Sequence, residues 1–319
     1  MDRWKGRVAL VTGASVGIGA AIAKSLVQHG MKVVGCARNV KQIENLAAEC
    51  VSSGFSGTLF PYKCDLSVED EVLSMFSWIK VQHQGIDVCI NNAGLALPEP
   101  LLSGKTSGWK TMMDVNVIGL SVCVREAYQS MKGRKVDDGH IININSICGH
   151  RVINNADAHF YTASKYAVTA LTEGLRQELR EAKTHIRATC ISPGIVETEF
   201  AYRLFSQNPE IAEATYKSVK CLQAADITDA VVYVLSAPPH VQDGSHPTSS
   251  QEHGIRVSVP PVTRLQHHRL GQPLAVFTPA LPELRSTAIP LSSEGSQTAM
   301  NIYTQKTSGY ASSQTVFWL

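Results

Sequence analysis

Tyr161 and Lys165 stand four residues apart in a stretch of helical period, a spacing that sets both side chains on one helix face. An ammonium beside a phenol draws its pKa down from about 10 toward working pH, which makes Tyr161 a usable general acid for a carbonyl oxygen. Two other pairs, Tyr128 with Lys132 and Tyr216 with Lys220, share the spacing. Only Tyr161 has a serine at a strand end upstream, Ser146, whose hydroxyl can hydrogen-bond the same oxygen. Asn116, inside a long helical run, can join them through a local helix distortion and a water linked to Lys165. Taken alone it reads as an ordinary polar residue of a helix.

These residues need a scaffold, and the chain up to about residue 242 supplies a regular one. Short apolar, β-branched runs near 7–12, 32–37, 58–62, 86–90, 140–145 and 186–191 read as buried parallel strands. Helical runs over 17–29, 40–52, 68–83, 108–131 and 161–182 separate them, and 230–235 reads as the last sheet-covering helix. The alternation predicts an α/β fold, a doubly wound parallel sheet of the Rossmann type, with ligands bound beyond the carboxyl ends of its strands.

Those strand ends carry a second group of residues. The first strand runs into Thr12-Gly13-Ala14-Ser15-Val16-Gly17-Ile18-Gly19, a glycine turn that lets backbone N–H groups and a helix N-terminus meet a pyrophosphate. The alternative is a plain strand-to-helix turn. After the second strand, Arg38 stands where an NAD-selective enzyme carries a carboxylate, followed by Asn39. A guanidinium can hold a ribose 2′-phosphate by charge-assisted hydrogen bonds, so NADP(H) is the expected cofactor. Val16 replaces a second basic residue often found in the turn of NADP enzymes, so NAD(H) stays open as the less favoured cofactor. Asp65 and Leu66 follow the third strand and Asn92-Ala93-Gly94 the fourth. Asp65 can accept from an adenine amino group or cap the next helix, and Asn92 with Gly94 can bring backbone near a ribose or form only a turn.

Composition removes several function classes. Lys plus Arg is 29 against 27 for Asp plus Glu, a net charge of +2, without the basic excess of an electrostatic nucleic-acid binder. No run approaches the roughly 18 apolar residues of a membrane span. The eight cysteines contain no Cys-x-x-Cys pair and suit free thiols in a reducing, cytoplasmic setting. From residue 243 the character changes. These 77 residues hold 7 of the 14 prolines and 19 serines plus threonines, with 9 charged side chains. The expected organisation is a catalytic domain over 1–242 and a poorly structured tail over 243–319. His246, His253, His267 and His268 lie in that tail without metal-ligand spacing, so no metal site is expected.

The ordered set Thr12-Gly13-x-x-x-Gly17-x-Gly19, Asn91-Asn92-Ala93-Gly94, Asn116, Ser146, Tyr161-x-x-x-Lys165 and Ser192-Pro193-Gly194 resembles the short-chain dehydrogenase/reductase family, over about residues 4 to 241. The stretches 30–38, 140–146 and 165–180 are similar to a branch whose members are NADPH-using carbonyl reductases of 17- and 3-keto steroids and small carbonyl compounds. The resemblance implies Tyr161 as acid or base, Lys165 as its pKa partner and a ribose ligand, Ser146 as carbonyl binder and Asn116 in a proton relay. It also implies that Pro193, Gly194, Val196 and Thr198 flank the nicotinamide, with Gly13, Ser15, Gly17, Ile18 and Gly19 around the pyrophosphate. Phe200, Tyr202, Leu204 and Phe205 fall where the family closes a loop over substrate, or form a plain packing stripe. His150 and His159 read as satisfied loop histidines near the site.

One departure opens a second function class. Family members return after the last helix with a seventh strand, and this chain turns instead into the tail, with only a weak alternation over 254–259. A homo-oligomer is implied by the family and put in question by this terminus. The alternative to the enzyme is a catalytically impaired NADP-binding or interfering subunit.

Overall fold

The computed structural model describes residues 1–205, 208–238 and 256–258. In chain order the elements are β1 (Val8–Thr12), α1 (Gly17–Gln28), β2 (Lys32–Ala37), α2 (Val40–Ser52), β3 (Thr58–Lys63), α3 (Glu69–His83) and β4 (Val88–Asn91). Then come α4 (Thr106–Met113), α5 (Leu120–Gly133), β5 (His140–Ile144), α6 (His159–Glu181), β6 (Arg187–Ser192), α7 (Glu199–Leu204), α8 (Pro209–Ser218), α9 (Ala224–Ser236) and β7 (Arg256–Ser258). The sheet order is β3-β2-β1-β4-β5-β6-β7, parallel through β6. The expected doubly wound parallel sheet is therefore present, and chain direction across it reverses between β1 and β4.

Alternating side chains divide the core between the two faces. Ala9, Val11, Val88, Ile90, Ile142, Ile144 and Ile191 face Ile22, Leu26 and Val27 of α1 and Ile227, Val231 and Val234 of α9. Leu10, Val34, Cys36, Cys89 and Ile141 face Met75 and Ile79 of α3 and Cys123, Ala127 and Met131 of α5. β1, β4, β5 and β6 are buried along their whole length, and each fully buried Leu, Ile or Val in them contributes about 1.5–3 kcal/mol.

Two expectations change. The single helix over 108–131 is two helices, α4 and α5, joined through a π-helical segment, Asp114–Gly119. The widened turn carries the buried Asn116, whose side chain bonds a neighbouring loop. At the other edge, β6 is followed by β7, which pairs antiparallel, Ile191 opposite Val257. The weak alternation over 254–259 thus yields a three-residue strand, drawn from beyond residue 242. The rest of the 243–319 tail, with its four histidines, lies outside the described residues.

Candidate active site

Tyr161 and Lys165 sit in the first two turns of α6, both buried. The helix is held to the sheet by polar bonds on its inner side. Asn91 Nδ2 donates to Asn143 Oδ1 at 2.9 Å, Asn143 Nδ2 to Thr172 Oγ1 at 2.9 Å, and Asn145 Nδ2 to Thr169 Oγ1 at 2.8 Å. Lys165 Nζ donates to the Ile144 carbonyl, the last of β5, at 3.0 Å. Just beyond it, Ser146 Oγ accepts the Cys148 N–H at 3.1 Å, and the Ser146 side chain lies near enough to the Tyr161 phenol to act on its pKa. Ser146, Tyr161 and Lys165 are thus brought together at the carboxyl end of β5.

Asn116 sits in the local helix distortion, the π-helical segment, with its side chain bonded within the protein. Its Oδ1 accepts the Leu95 N–H at 2.9 Å, and its Nδ2 donates to the Leu95 carbonyl at 2.8 Å and to Ser164 Oγ at 3.0 Å. Ser164 Oγ in turn donates to the Tyr161 carbonyl at 2.7 Å. The Asn116 side chain is therefore spent on holding the π-helical segment against the loop after β4 and the start of α6. It remains close to Lys165: a Cβ built on Gly94 would stand 3.4 Å from Asn116 Oδ1 and 3.6 Å from Lys165 Nζ.

The expected lowering of the phenol pKa is overturned. Burial pushes Tyr161 well above its usual 10, the nearby Cys148 thiol adds to this, and only the neighbouring Ser146 side chain acts downward. Lys165 Nζ lies 5.8 Å from the centre of the Tyr161 ring, and burial lowers its own pKa to about 8. Desolvation of both groups outweighs their mutual effect, because the site is lined by apolar side chains. Ala96, Met112 and Cys148 pack with Tyr161, and Leu97, Trp109, Ile147, Ile153, Phe160 and Leu204 surround them. Trp109 stacks on Phe160 at 5.2 Å, and Phe200 reaches the Tyr161 ring at 5.6 Å.

At the carboxyl ends of β1 and β2, the glycines divide by role. Gly13 and Gly17 adopt positive φ, +67° and +57°, which favours glycine. Gly19 is buried, and a Cβ there would stand 2.3 Å from the Gly13 carbonyl oxygen, so it serves close packing of helix on turn. The α1 N-terminus has no side-chain cap and no acid in its first turn, which leaves donors aimed outward beside Ser15 and Ile18. Asn92 serves the turn itself: its Nδ2 donates to the Thr12 and Gly13 carbonyls at 3.0 and 3.3 Å. Thr12 Oγ1 accepts both the Asn92 and Ala93 N–H groups at 3.0 Å. Ser164 is the residue that sequence reasoning passed over, and Thr12 entered only as part of the glycine turn. A buried hydroxyl carries no signal until its partners are known.

Arg38 and Asn39 are exposed at the end of β2, where Asn39 precedes α2 without capping it by its side chain. Asp65 Oδ1 accepts from the Ser67 N–H and hydroxyl at 3.0 and 2.7 Å. Burial pushes the Asp65 carboxyl up, but these bonds and the Arg38 charge prevail and lower its pKa. Leu66 is buried in the core on the α3 side. After β6, the Pro193 carbonyl accepts the Ile147 N–H at 2.8 Å, Val196 bridges to Leu222, and Gly194 lies between them. Thr198 caps α7 through the Phe200 N–H and stands opposite Gly17, where an added Cβ would lie 3.4 Å from it. His150 Nε2 pairs with Ser192 Oγ at 2.8 Å and His159 Nε2 with the Ile153 carbonyl at 3.2 Å, as loop histidines.

Comparison with known proteins gives this arrangement its relatives. The short chain dehydrogenase family model matches residues 7–209. Dehydrogenase/reductase SDR family member 11 of Gallus gallus is 74% identical over 244 residues, 76% of this chain and 96% of that protein. Farnesol dehydrogenase of Aedes aegypti is 46% identical over 245 residues, 76% of this chain and 95% of that protein. The closed form of serine dehydrogenase complexed with NADP+ superposes with a TM-score of 0.67 at 31% identity, covering 77% of this chain and all of that one. With the family model covering more than half of its length, the chain belongs to the short-chain dehydrogenase family.

Proposed function

We propose that this protein is an NADPH-dependent carbonyl reductase of the hydroxysteroid dehydrogenase kind, acting on 17- and 3-keto steroids and small dicarbonyl compounds. The observation that carries the reading is the gathering of Ser146, Tyr161 and Lys165 at the carboxyl end of β5, with the Tyr161 ring packed in an apolar cluster. A ketone oxygen placed there accepts from the Ser146 hydroxyl and takes the Tyr161 proton. The phenol carries its proton at neutral pH and can give it to the carbonyl oxygen. The Lys165 ammonium, held by Ile144, balances the negative charge as the proton leaves. The apolar wall of Leu97, Trp109, Phe160 and Leu204 excludes water and suits a bulky hydrocarbon skeleton.

The residues fit NADP(H). The uncapped α1 N-terminus and the Gly13–Gly19 turn, with Gly13 and Gly17 at positive φ, suit a pyrophosphate. Arg38 suits a 2′-phosphate and Asp65 an adenine amino group. Gly94, Lys165, Pro193, Val196 and Thr198 suit the nicotinamide riboside. When bound, NADPH supplies the hydride. The NADP+ complex of serine dehydrogenase supports this choice, and NAD(H) remains the less favoured cofactor. The name of the Gallus gallus relative supports a dehydrogenase/reductase, and that of the Aedes aegypti relative supports an apolar alcohol or carbonyl substrate. Free thiols, seven of the eight buried, suit the reducing cytoplasm, which we take as the location. Loss of NADPH absorbance with a 17-keto steroid and with a diketone tests the reading, and turnover of neither ketone refutes it.

A second reading, an impaired or interfering subunit, is favoured by the edge of the sheet. There, among the described residues, β6 meets the three antiparallel residues of β7, and the Gallus gallus relative matches 76% of this chain. Full-length protein that binds NADPH without turnover, alongside an active 1–242 truncation, would favour this reading. The same comparison by sedimentation tests the homo-oligomer that the family implies.

A further inference from the structure

A single phenol fastens the segment that covers the active site. Tyr216, half-buried in α8, donates its hydroxyl to the Thr198 carbonyl at 2.7 Å. The same oxygen accepts the Ala201 N–H at 3.2 Å and, at the long end of the range, the Thr198 N–H at 3.4 Å. Thr198 is the N-cap of α7 and satisfies the Phe200 N–H through its own Oγ1 at 3.2 Å. Tyr216 therefore takes the next orphan donor of that helix, Ala201, and ties down the cap residue as well. A helix of six residues has no stability of its own, so its place depends on such anchors.

What α7 positions gives the anchor its consequence. Phe200 lies 5.6 Å from the Tyr161 ring, and Leu204 packs against the apolar cluster that holds Tyr161. Thr198 faces Gly17 across the cofactor end. The Tyr216 ring also lies 5.8 Å from Tyr202, a contact that a phenylalanine would keep. Packing and latching are thus separable in one atom.

We propose that Tyr216 is a positioning residue, a latch whose hydroxyl keeps α7 closed over Tyr161 and so sets how well bulky apolar ketones are held relative to small ones. The dependence on substrate rests on the carbonyl reductase reading above; the latch itself does not. Phe200 beside the Tyr161 ring and Leu204 against its cluster are placed to meet more of a large ketone than of a small one, so an unlatched α7 would cost the large substrate more.

Tyr216→Phe tests this in the full-length, NADPH-loaded protein. Amide hydrogen exchange at Phe200 and Ala201 is expected to speed up about tenfold, with the amides of α6 and the thermal midpoint unchanged. The KM of a 17-keto steroid divided by that of a small diketone is expected to rise about tenfold. In a Phe200→Ala background, Tyr216→Phe is expected to add little to that ratio, because the latch acts through Phe200. Unchanged exchange at Phe200 and Ala201, or fully additive effects on the ratio, overturns the proposal. Absence of turnover in the wild type would sink the reductase reading alone, and exchange would still decide whether Tyr216 holds α7.

Discussion

The two ends of the parallel sheet use similar polar residues to opposite effect. At the amino ends, the buried Asp87 carboxylate accepts the Val8 N–H at 2.8 Å and faces Arg7 at 3.3 Å and Arg134 at 3.4 Å. Arg3 Nη2 and Trp4 Nε1 both donate to the Leu235 carbonyl, at 2.8 and 2.7 Å, and Arg187 Nη1 donates to Val234 at 3.1 Å. These carbonyls end α9, and helix ends that point this way need donors. At the carboxyl ends, α1 and α2 begin without side-chain caps and Arg38 is exposed beside them. Parallel order sends every crossover helix the same way. One end therefore collects carbonyls that the protein's own cations can close, and the other collects N–H groups that await an anion.

The sharpest way to break this contrast is at Tyr161. Tyr161→Phe is expected to lower ketone reduction by about 10²- to 10⁴-fold while NADPH binding, followed by fluorescence titration, stays within about twofold. Equal loss of binding would mean that the residue is structural. At the opposite end the effect should be on stability: Trp4→Ala, which empties a fully buried site, is expected to cost about 3–5 kcal/mol in denaturant unfolding. Turnover per folded molecule should survive, and a selective loss of kcat would merge the two ends. Arg38→Ala should raise the KM for NADPH about 10- to 100-fold, as expected for losing a charge-assisted bond, and leave NADH nearly untouched. Similar losses with both cofactors would remove Arg38 from 2′-phosphate recognition.

The smallest effect concerns protons at the amino end. His140, paired with Thr189 Oγ1 at 2.8 Å, has its pKa held well below 6.5 by burial and by the charges of Arg187 and Arg3. Above about 6.5 it is neutral folded or unfolded. As pH falls below that value the unfolded chain gains a proton that the folded chain refuses, so stability is lost by at most about 1.4 kcal/mol per pH unit. A thermal midpoint that drops between about pH 7 and 5, and drops less in His140→Gln, is the expected result. Identical profiles would show that other groups carry the acid sensitivity.

Much of this contrast was readable from residue types. The limits of α2, β3 and α6 follow from the residue pattern to within two residues. The helix over 108–131 was readable only in outline. Its π-helical interruption depends on Leu95, twenty-one residues away, whose backbone bonds Asn116. Arg38 was legible as a cation at a strand end, whereas Asn92 as a brace of the glycine turn was not, since its partners Thr12 and Gly13 lie eighty and seventy-nine residues distant. The antiparallel direction of β7 likewise had no local signal, because three residues pair equally well either way until an edge is presented.

Residue types and spacing carried the doubly wound fold class and the placing of Ser146, Tyr161 and Lys165 near strand carboxyl ends. Hydrophobic period and glycine chemistry act locally, and parallel topology carries them to one place. Tertiary structure alone decided the electrostatics. The spacing of Tyr161 and Lys165 suggested a lowered phenol pKa, and enclosure by Ala96, Met112 and Cys148 reversed it. Desolvation depends on everything packed around a charge, and the packing neighbours come from four distant parts of the chain.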